Sequence, residues 1–169
     1  MSEFHELLEA QIPRLRRYAL ALLRHPDQAD DLVQDTLVRA LAKEHLWEPG
    51  TDLRAWLFTI MHNQRVNAVR RGLREGTAVD VESVSGAIVA TTDPSAGRTL
   101  FELDRAMGQI AEEHRQVILL IGLEGMSYED AAAVVGVPVG TIRSRLSRGR
   151  DALRVAMGIP GERRLARAA

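Results

Sequence analysis

From Gly76 to Gly97 the chain carries no Lys or Arg and mixes Gly, Ser, Thr, Asp and Pro with apolar residues of no fixed period. Such a stretch has no face to bury and reads as a flexible linker. On both sides of it, apolar residues recur at helical spacing. The expected fold class is therefore all-α, with two small helical domains joined by that linker. The expected boundaries are 1–75, 76–97 and 98–157, with an Arg- and Ala-rich tail over 158–169 that frays. Aromatic content of 4% argues the same way, against a β-sandwich. One alternative for the middle stretch, a strand through Ala87 to Val89 packed on one block, leaves the rest unchanged.

The first block divides into three helices. Leu7, Leu8, Ile12, Leu15, Ala19, Leu22 and Leu23 give a stripe over 3–24, with Pro13 expected to kink or break it. His25-Pro26-Asp27 is a boundary from which Asp27 can cap a second helix over about 28–45, with Leu32, Val33, Thr36, Leu37, Ala40 and Leu41 inward. After the turn signal Glu48 to Asp52, a third helix over Leu53–Leu73 turns Trp56, Leu57, Ile60, Met61 and Val69 inward.

In the second block, Leu100, Leu103, Met107 and Ile110 mark one helix, and His114 to Leu123 a second. Ser127 opens a third with a capping-box-like start, and Gly136-Val137-Pro138 separates it from a fourth over about 139–155. A short helix, a tight glycine turn and a basic second helix make a helix-turn-helix. Ile142, Leu146, Gly149 and Leu153 share the inward stripe of the basic helix. That leaves Arg143, Ser144, Ser147, Arg148 and Asp151 outward, with Arg145 and Arg150 at the flanks. A major groove admits one helix, whose exposed side chains meet base edges. Arg143 and Ser144 lie at the entering end, where Thr141 and the backbone N–H groups suit a phosphate, and Arg148 and Arg150 lie further along.

Net charge is −1, which by itself argues against a nucleic-acid partner. The distribution restores it: 51–75 carries five basic and two acidic side chains, and 139–169 eight and two, whereas 98–138 carries three and seven. Two basic segments can touch phosphate at two places, while the whole binds free DNA weakly. No cysteine is present, and His5, His25, His45, His62 and His114 are scattered, so neither a metal nor another cofactor is expected. No nucleophile–base spacing or phosphate-binding glycine loop points to an enzyme. The N-terminus lacks a signal-peptide pattern, and the longest apolar runs, such as Val117 to Ile121, are far too short to span a bilayer. No membrane insertion and a cytoplasmic location are the expectations.

Three stretches resemble one family, the extracytoplasmic-function (group IV) RNA polymerase sigma factors. Asp30 to Ala40 (DDLVQDTLVRA) is similar to the stretch that members use to grip polymerase. Leu53 to Asn63 (LRAWLFTIMHN) is similar to the start of their promoter-melting helix. Gly125 to Ala132 with Gly140 to Arg150 is similar to their fourth-region DNA reader. The order and spacing also match, and only the linker and tail lie outside the resemblance.

The resemblance implies a non-catalytic initiation subunit with a three-helix region 2 and a four-helix region 4. Region 2 docks on the β′ clamp helices of core RNA polymerase and reads the minus-10 element. Region 4 sits on the β flap and reads the minus-35 element of promoter DNA. An anti-sigma factor is an implied further partner. Carried over by position, Asp31, Gln34, Asp35 and Arg39 form the clamp surface. Asn63, Arg65, Asn67, Arg70 and Arg71 face single-stranded minus-10 DNA. In the turn before them Trp47 is a candidate base stacker, with a core lid as its other reading. Thr141, Arg143, Ser144, Arg145, Ser147 and Arg148 face the minus-35 duplex. The chain departs from the family in having Asn67 where many members carry Asp, Ala132-Ala133 after the capping segment, and Pro138 where a Ser often starts the reading helix. The competing function is a stand-alone helix-turn-helix repressor, which leaves the first block unexplained.

Overall fold

The computed structural model describes residues 2–76 and 93–159. Most of the expected linker, 77–92, with its alternative strand at Ala87 to Val89, and the tail beyond 159 lie outside the described residues; the last expected linker residues, 94–97, are instead helical and open the second block. Among the described residues there are seven α-helices and no strand.

Helix α1 (Glu3–Leu23) starts at Ser2, whose hydroxyl accepts from the His5 N–H. Pro13 does not break it: the residue sits on the exposed side, where one missing donor is tolerated in a long helix. Helix α2 (Pro26–Ala42) begins earlier than the spacing suggested. Its cap is His25, whose Nδ1 accepts from Gln28 N–H, and not Asp27; Pro26 presets the first helical φ. Thr36 is fully buried on this helix because its hydroxyl donates to the Leu32 carbonyl at 2.7 Å. A 3₁₀ turn (Glu44–Leu46) leads to α3 (Leu53–Glu75), capped by Asp52 accepting from Ala55 N–H.

Leu15, Leu22, Leu57, Phe58 and Met61 form the centre of this first block, and each contributes roughly 1.5–3 kcal/mol by burial. The Tyr18 and Phe58 rings meet edge to face at 4.8 Å. Two inward assignments fail. Leu41 and Val69 are exposed: Leu41 turns away from the core just past buried Ala40, and on α3 the buried stripe ends at Met61.

The second block holds α4 (Pro94–Met107), α5 (Glu112–Ile118), α6 (Tyr128–Val135) and α7 (Val139–Ala156). Helix α4 starts ahead of Arg98, with Asp93 capping through Ser95 N–H. Beyond Ile118 the helix widens into a π turn over Leu119–Leu123, closed by Glu124 N–H donating to Leu119 O. Ser127 caps α6 as its sequence predicts, and Gly136 ends it at φ 74°, a left-handed conformation that β-branched residues resist. At Gly149, α7 lies tight against α5. A methyl group added there would sit 2.9 Å from Ile118 Cδ1.

The two blocks are packed against each other. Buried apolar side chains form one contiguous cluster from Phe4 and Leu8 through Phe58 to Leu120, Ile142 and Leu146.

Candidate nucleic-acid interface

Helices α2 and α3 lie side by side, and the groove between them opens as two clefts. Asp31 and Asp35 of α2 line one with Arg65 and Arg71 of α3. The other, about 440 Å³, is lined by Arg39 of α2 and Lys43 at its C-terminal cap, with His62, Asn63, Asn67 and Arg70 of α3. Arg39, Lys43, Asn63, Asn67 and Arg70 are all exposed. Three cations and two amides around one opening offer donors to phosphate and to base edges. Lys43 was not among the sequence candidates. The structure adds it, and it brings Arg39 to the side of Asn63, Asn67 and Arg70 instead of to Asp31 and Asp35. Gln34 is exposed on α2 outside both clefts.

Arg65 stands apart from its neighbours on α3. Its Nη2 and Nε donate to the two carboxylate oxygens of Glu112 on α5, at 2.6 and 3.3 Å. One turn earlier, His62 Nδ1 pairs with Gln116 Nε2 at 2.7 Å. Burial holds the His62 imidazole below its ordinary pKa, and the Arg145 charge adds to that, while the Val135 backbone and Glu112 oppose it. Of the α3 candidates, Arg65 is therefore paired with the second block, as is His62 beside it.

Trp47 lines neither cleft. Its ring packs on Phe4 with centroids 5.4 Å apart, and Phe4 in turn meets Trp56 at 6.1 Å. This aromatic trio pins the 3₁₀ turn to α1 and α3, which is the core-lid arrangement. Trp56 packs partly buried against the same core.

On α7, Ile142, Leu146 and Gly149 are buried as their spacing requires, and Arg143, Ser144, Ser147 and Arg148 are exposed. Arg143 lies over the Tyr128 ring at 5.7 Å, a contact that steadies its long side chain at the entering end of the helix. Ser144 donates its hydroxyl to the Gly140 carbonyl, which leaves oxygen lone pairs outward. Arg145 turns back to Glu113 of α5 at 3.7 Å and is only partly exposed. Thr141 is partly buried, and its N–H donates to the Pro138 carbonyl, so that N–H is not free for a phosphate. The outward basic face is thus carried by Arg143, Arg148 and Arg150.

No group of three or more metal-ligating side chains occurs among the described residues, and no helix there is long and apolar enough to cross a membrane.

These features coincide with what the chain is similar to. Residues 8–62 match the family described as the Sigma2 domain of PhyR, and residues 100–153 match Sigma-70, region 4. The chain is 40% identical over 156 residues to the ECF RNA polymerase sigma factor EcfG of Rhodopseudomonas palustris (strain TIE-1), covering 90% of this chain and 83% of that one. It is 31% identical over 162 residues to the RNA polymerase sigma factor CarQ of Myxococcus xanthus, covering 92% and 89%. Among solved structures, the sigma factor RpoE of Bartonella quintana, in complex with the anti-sigma factor NepR, aligns with a TM-score of 0.79 at 36% identity, over 95% of this chain and all of that one. CnrH in complex with the cytosolic domain of CnrY aligns with a TM-score of 0.63 at 27% identity, over 92% and 87%. With both sigma regions present in order, each built as its motifs require, the chain belongs to the ECF RNA polymerase sigma factors and serves transcription initiation.

Proposed function

We propose that this sigma factor directs core RNA polymerase to promoters through two separate readers and assists melting at the downstream one. The observation that carries this reading is the pairing of an exposed basic recognition helix, α7, with the cation- and amide-lined cleft between α2 and α3. Arg143, Ser144, Ser147 and Arg148 read or anchor the minus-35 duplex. Asn63, Asn67, Arg70 and Arg71, joined by Arg65 once it is free, hold the minus-10 single strand. Unstacking bases costs a few kcal/mol, which cationic donors around the cleft offset.

The acidic edge of α2, with Asp31, Gln34 and Asp35, is the surface for the β′ clamp helices. Arg39 we assign to the DNA side, because it shares the cleft with Lys43, Asn67 and Arg70. Region 4 meets the β flap. Bivalent attachment through a tether raises effective concentration, so that weak single contacts suffice. The chain itself is non-catalytic, since bond formation belongs to the polymerase, and its place of action is the cytoplasm. Two of its structural relatives were solved with inhibitors, RpoE with NepR and CnrH with CnrY, which supports an anti-sigma partner here.

The test is in-vitro transcription by purified bacterial core polymerase on a pool of promoter fragments from the source genome. Transcripts that require this chain, with shared elements upstream of their start sites, are the expected result. Absence of transcripts together with absence of core binding would overturn the sigma reading. Sequence-specific duplex binding as a dimer without polymerase is what the repressor reading requires.

A further inference from the structure

The arginines of α7 are not held alike. Arg145 is drawn to Glu113 and Arg154 to Asp151, at 3.7 and 3.2 Å. Arg143 takes an aromatic ring instead: its Cζ lies over Tyr128 of α6, 5.7 Å from the ring centroid. Ser127 caps α6 by accepting from Asp130 N–H at 3.0 Å, so Tyr128 is the first residue of a fixed helix. The ring is partly buried and packs on the apolar core, whereas Arg143 is exposed. The tyrosine is therefore the fixed partner, and the arginine takes its place from it. Both border a cleft of about 320 Å³ that continues along α7 past Ser147, Arg150 and Arg154. Those residues and Arg143 fall at i, i+4, i+7 and i+11, one line along the helix. Like charge at Arg150 disfavours the rotamers in which Arg143 swings down that line, which leaves the ring as its seat.

Resting on the reading of α7 as the minus-35 helix, we propose that Tyr128 is a positioning residue for base recognition, whose ring holds Arg143 ready to meet a base edge in the major groove. An arginine recognises guanine through two parallel hydrogen bonds to O6 and N7, which demand one guanidinium plane at one distance. An unrestrained arginine loses rotamer freedom on adopting that pose, and beside a wrong base it has other poses to find. The ring removes that freedom when the chain folds, before DNA arrives. A phosphate makes no such demand, since it accepts from many directions. Tyr128 therefore acts on which sequence is bound more than on how tightly DNA as such is held. The guanidinium lies over the ring face, so the π face carries the effect and the phenol oxygen does not.

The test uses polymerase reconstituted with the full chain and a duplex library randomised over the minus-35 element. Tyr128→Phe keeps the ring and should select the same sequence as wild type. Tyr128→Leu keeps an apolar side chain there without a π face. It should lose preference roughly two- to fivefold at one base pair, the worth of one exposed cation–π contact. That base pair should be the one at which Arg143→Ala loses its preference. Tyr128→Leu combined with Arg143→Ala should lose no more there than Arg143→Ala alone, because the ring acts only through the arginine. The salt dependence of binding should weaken in Arg143→Ala and keep the wild-type slope in Tyr128→Leu, which retains every charge. Wild-type selection by Tyr128→Leu, or an additive loss in the double variant, overturns the inference. An even loss at all positions with a lower melting temperature also overturns it, by making Tyr128 a core residue only. A wild type that selects no minus-35 sequence with core polymerase overturns the reading of α7, and the inference with it.

Discussion

Arg24, the residue that ends α1 in a left-handed conformation at φ 60°, donates to both carboxylate oxygens of Asp104, at 2.9 and 3.4 Å, across eighty residues of chain. Both side chains are almost fully buried, at 5% and 3% exposure. Glycine is the usual occupant of such a helix end, and a non-glycine residue there carries backbone strain. The ion pair explains why an arginine is held in it. It also makes the junction of the two blocks intolerant of half-removal. Asp104→Asn is expected to cost about 3–5 kcal/mol in urea unfolding, since it strands a buried guanidinium. Arg24→Met combined with Asp104→Leu should recover most of that loss. Equal losses in the single and double variants would show that the pair's charge is not what matters there.

Gly149 lets α7 lie against His114 and Ile118 of α5. Gly149→Ala is therefore expected to lose roughly 1–3 kcal/mol by overpacking, although alanine is the better helix former. Thermal unfolding of the variant decides it. A stabilised protein would mean that α5 can shift away freely.

Under the proposed function, Arg39 and Lys43 belong to the DNA side of the α2 region and Asp31 and Asp35 to its polymerase side. Arg39→Ala with Lys43→Ala is expected to leave affinity for core polymerase near wild type and to weaken open-complex formation and its dependence on salt. Asp31→Ala with Asp35→Ala should do the reverse. Loss of core binding in the first pair would return Arg39 to the clamp surface.

On α7, Arg143→Ala should cost about 1–3 kcal/mol in duplex affinity and relax base preference at one position, as for a base-edge contact. Arg148→Ala should weaken binding evenly across sequences. Competition assays with a minus-35 library measure both. Arg145→Ala should chiefly loosen the α5–α7 contact made through Glu113, which unfolding reports and DNA binding at low salt does not.

His62 gives the folded chain a pH dependence. Its pKa is held below the ordinary 6.5, with Arg145 of α7, the Val135 carbonyl of α6, and Glu112 and Gln116 of α5 around it. The folded chain thus binds fewer protons at this site than the unfolded chain just below that value, so stability falls as pH drops through it. Melting temperature should decline from about pH 7.5 to about pH 5.5, and less steeply in His62→Gln. Identical slopes in the two proteins would assign the dependence to other groups.

How far the sequence reached is clearest from particular residues. Ser127, Gly136, Ile142, Leu146 and Gly149 define the helix-turn-helix by local rules, namely cap, left-handed turn and helical stripe, and the structure builds it that way. Leu57, Ile60 and Met61 are buried for the same reason. Local rules are weaker at ends, which is why His25 and not Asp27 caps α2, and why Val69 lies beyond the core. They are silent on pairing across the chain. Nothing in the spacing of Arg65 tells it from Arg70, yet one is bonded to Glu112 and the other is exposed.

The sequence by itself determined the helices, their family and the buried and exposed sides of α7, because periodicity, caps and charge are properties of neighbours along the chain. Only the tertiary structure decided that Arg24 meets Asp104, that Glu124 draws in Arg14, Arg17 and Arg54, and that Arg39 shares a cleft with Asn63, Asn67 and Arg70. Those outcomes depend on which surfaces are removed from water together. The alternating sign of the segments hinted at the attraction, but charge alone does not choose a partner. The choice was made by packing, which brought the π turn at Leu119–Leu123 against α1 and carried Glu124 in among the arginines.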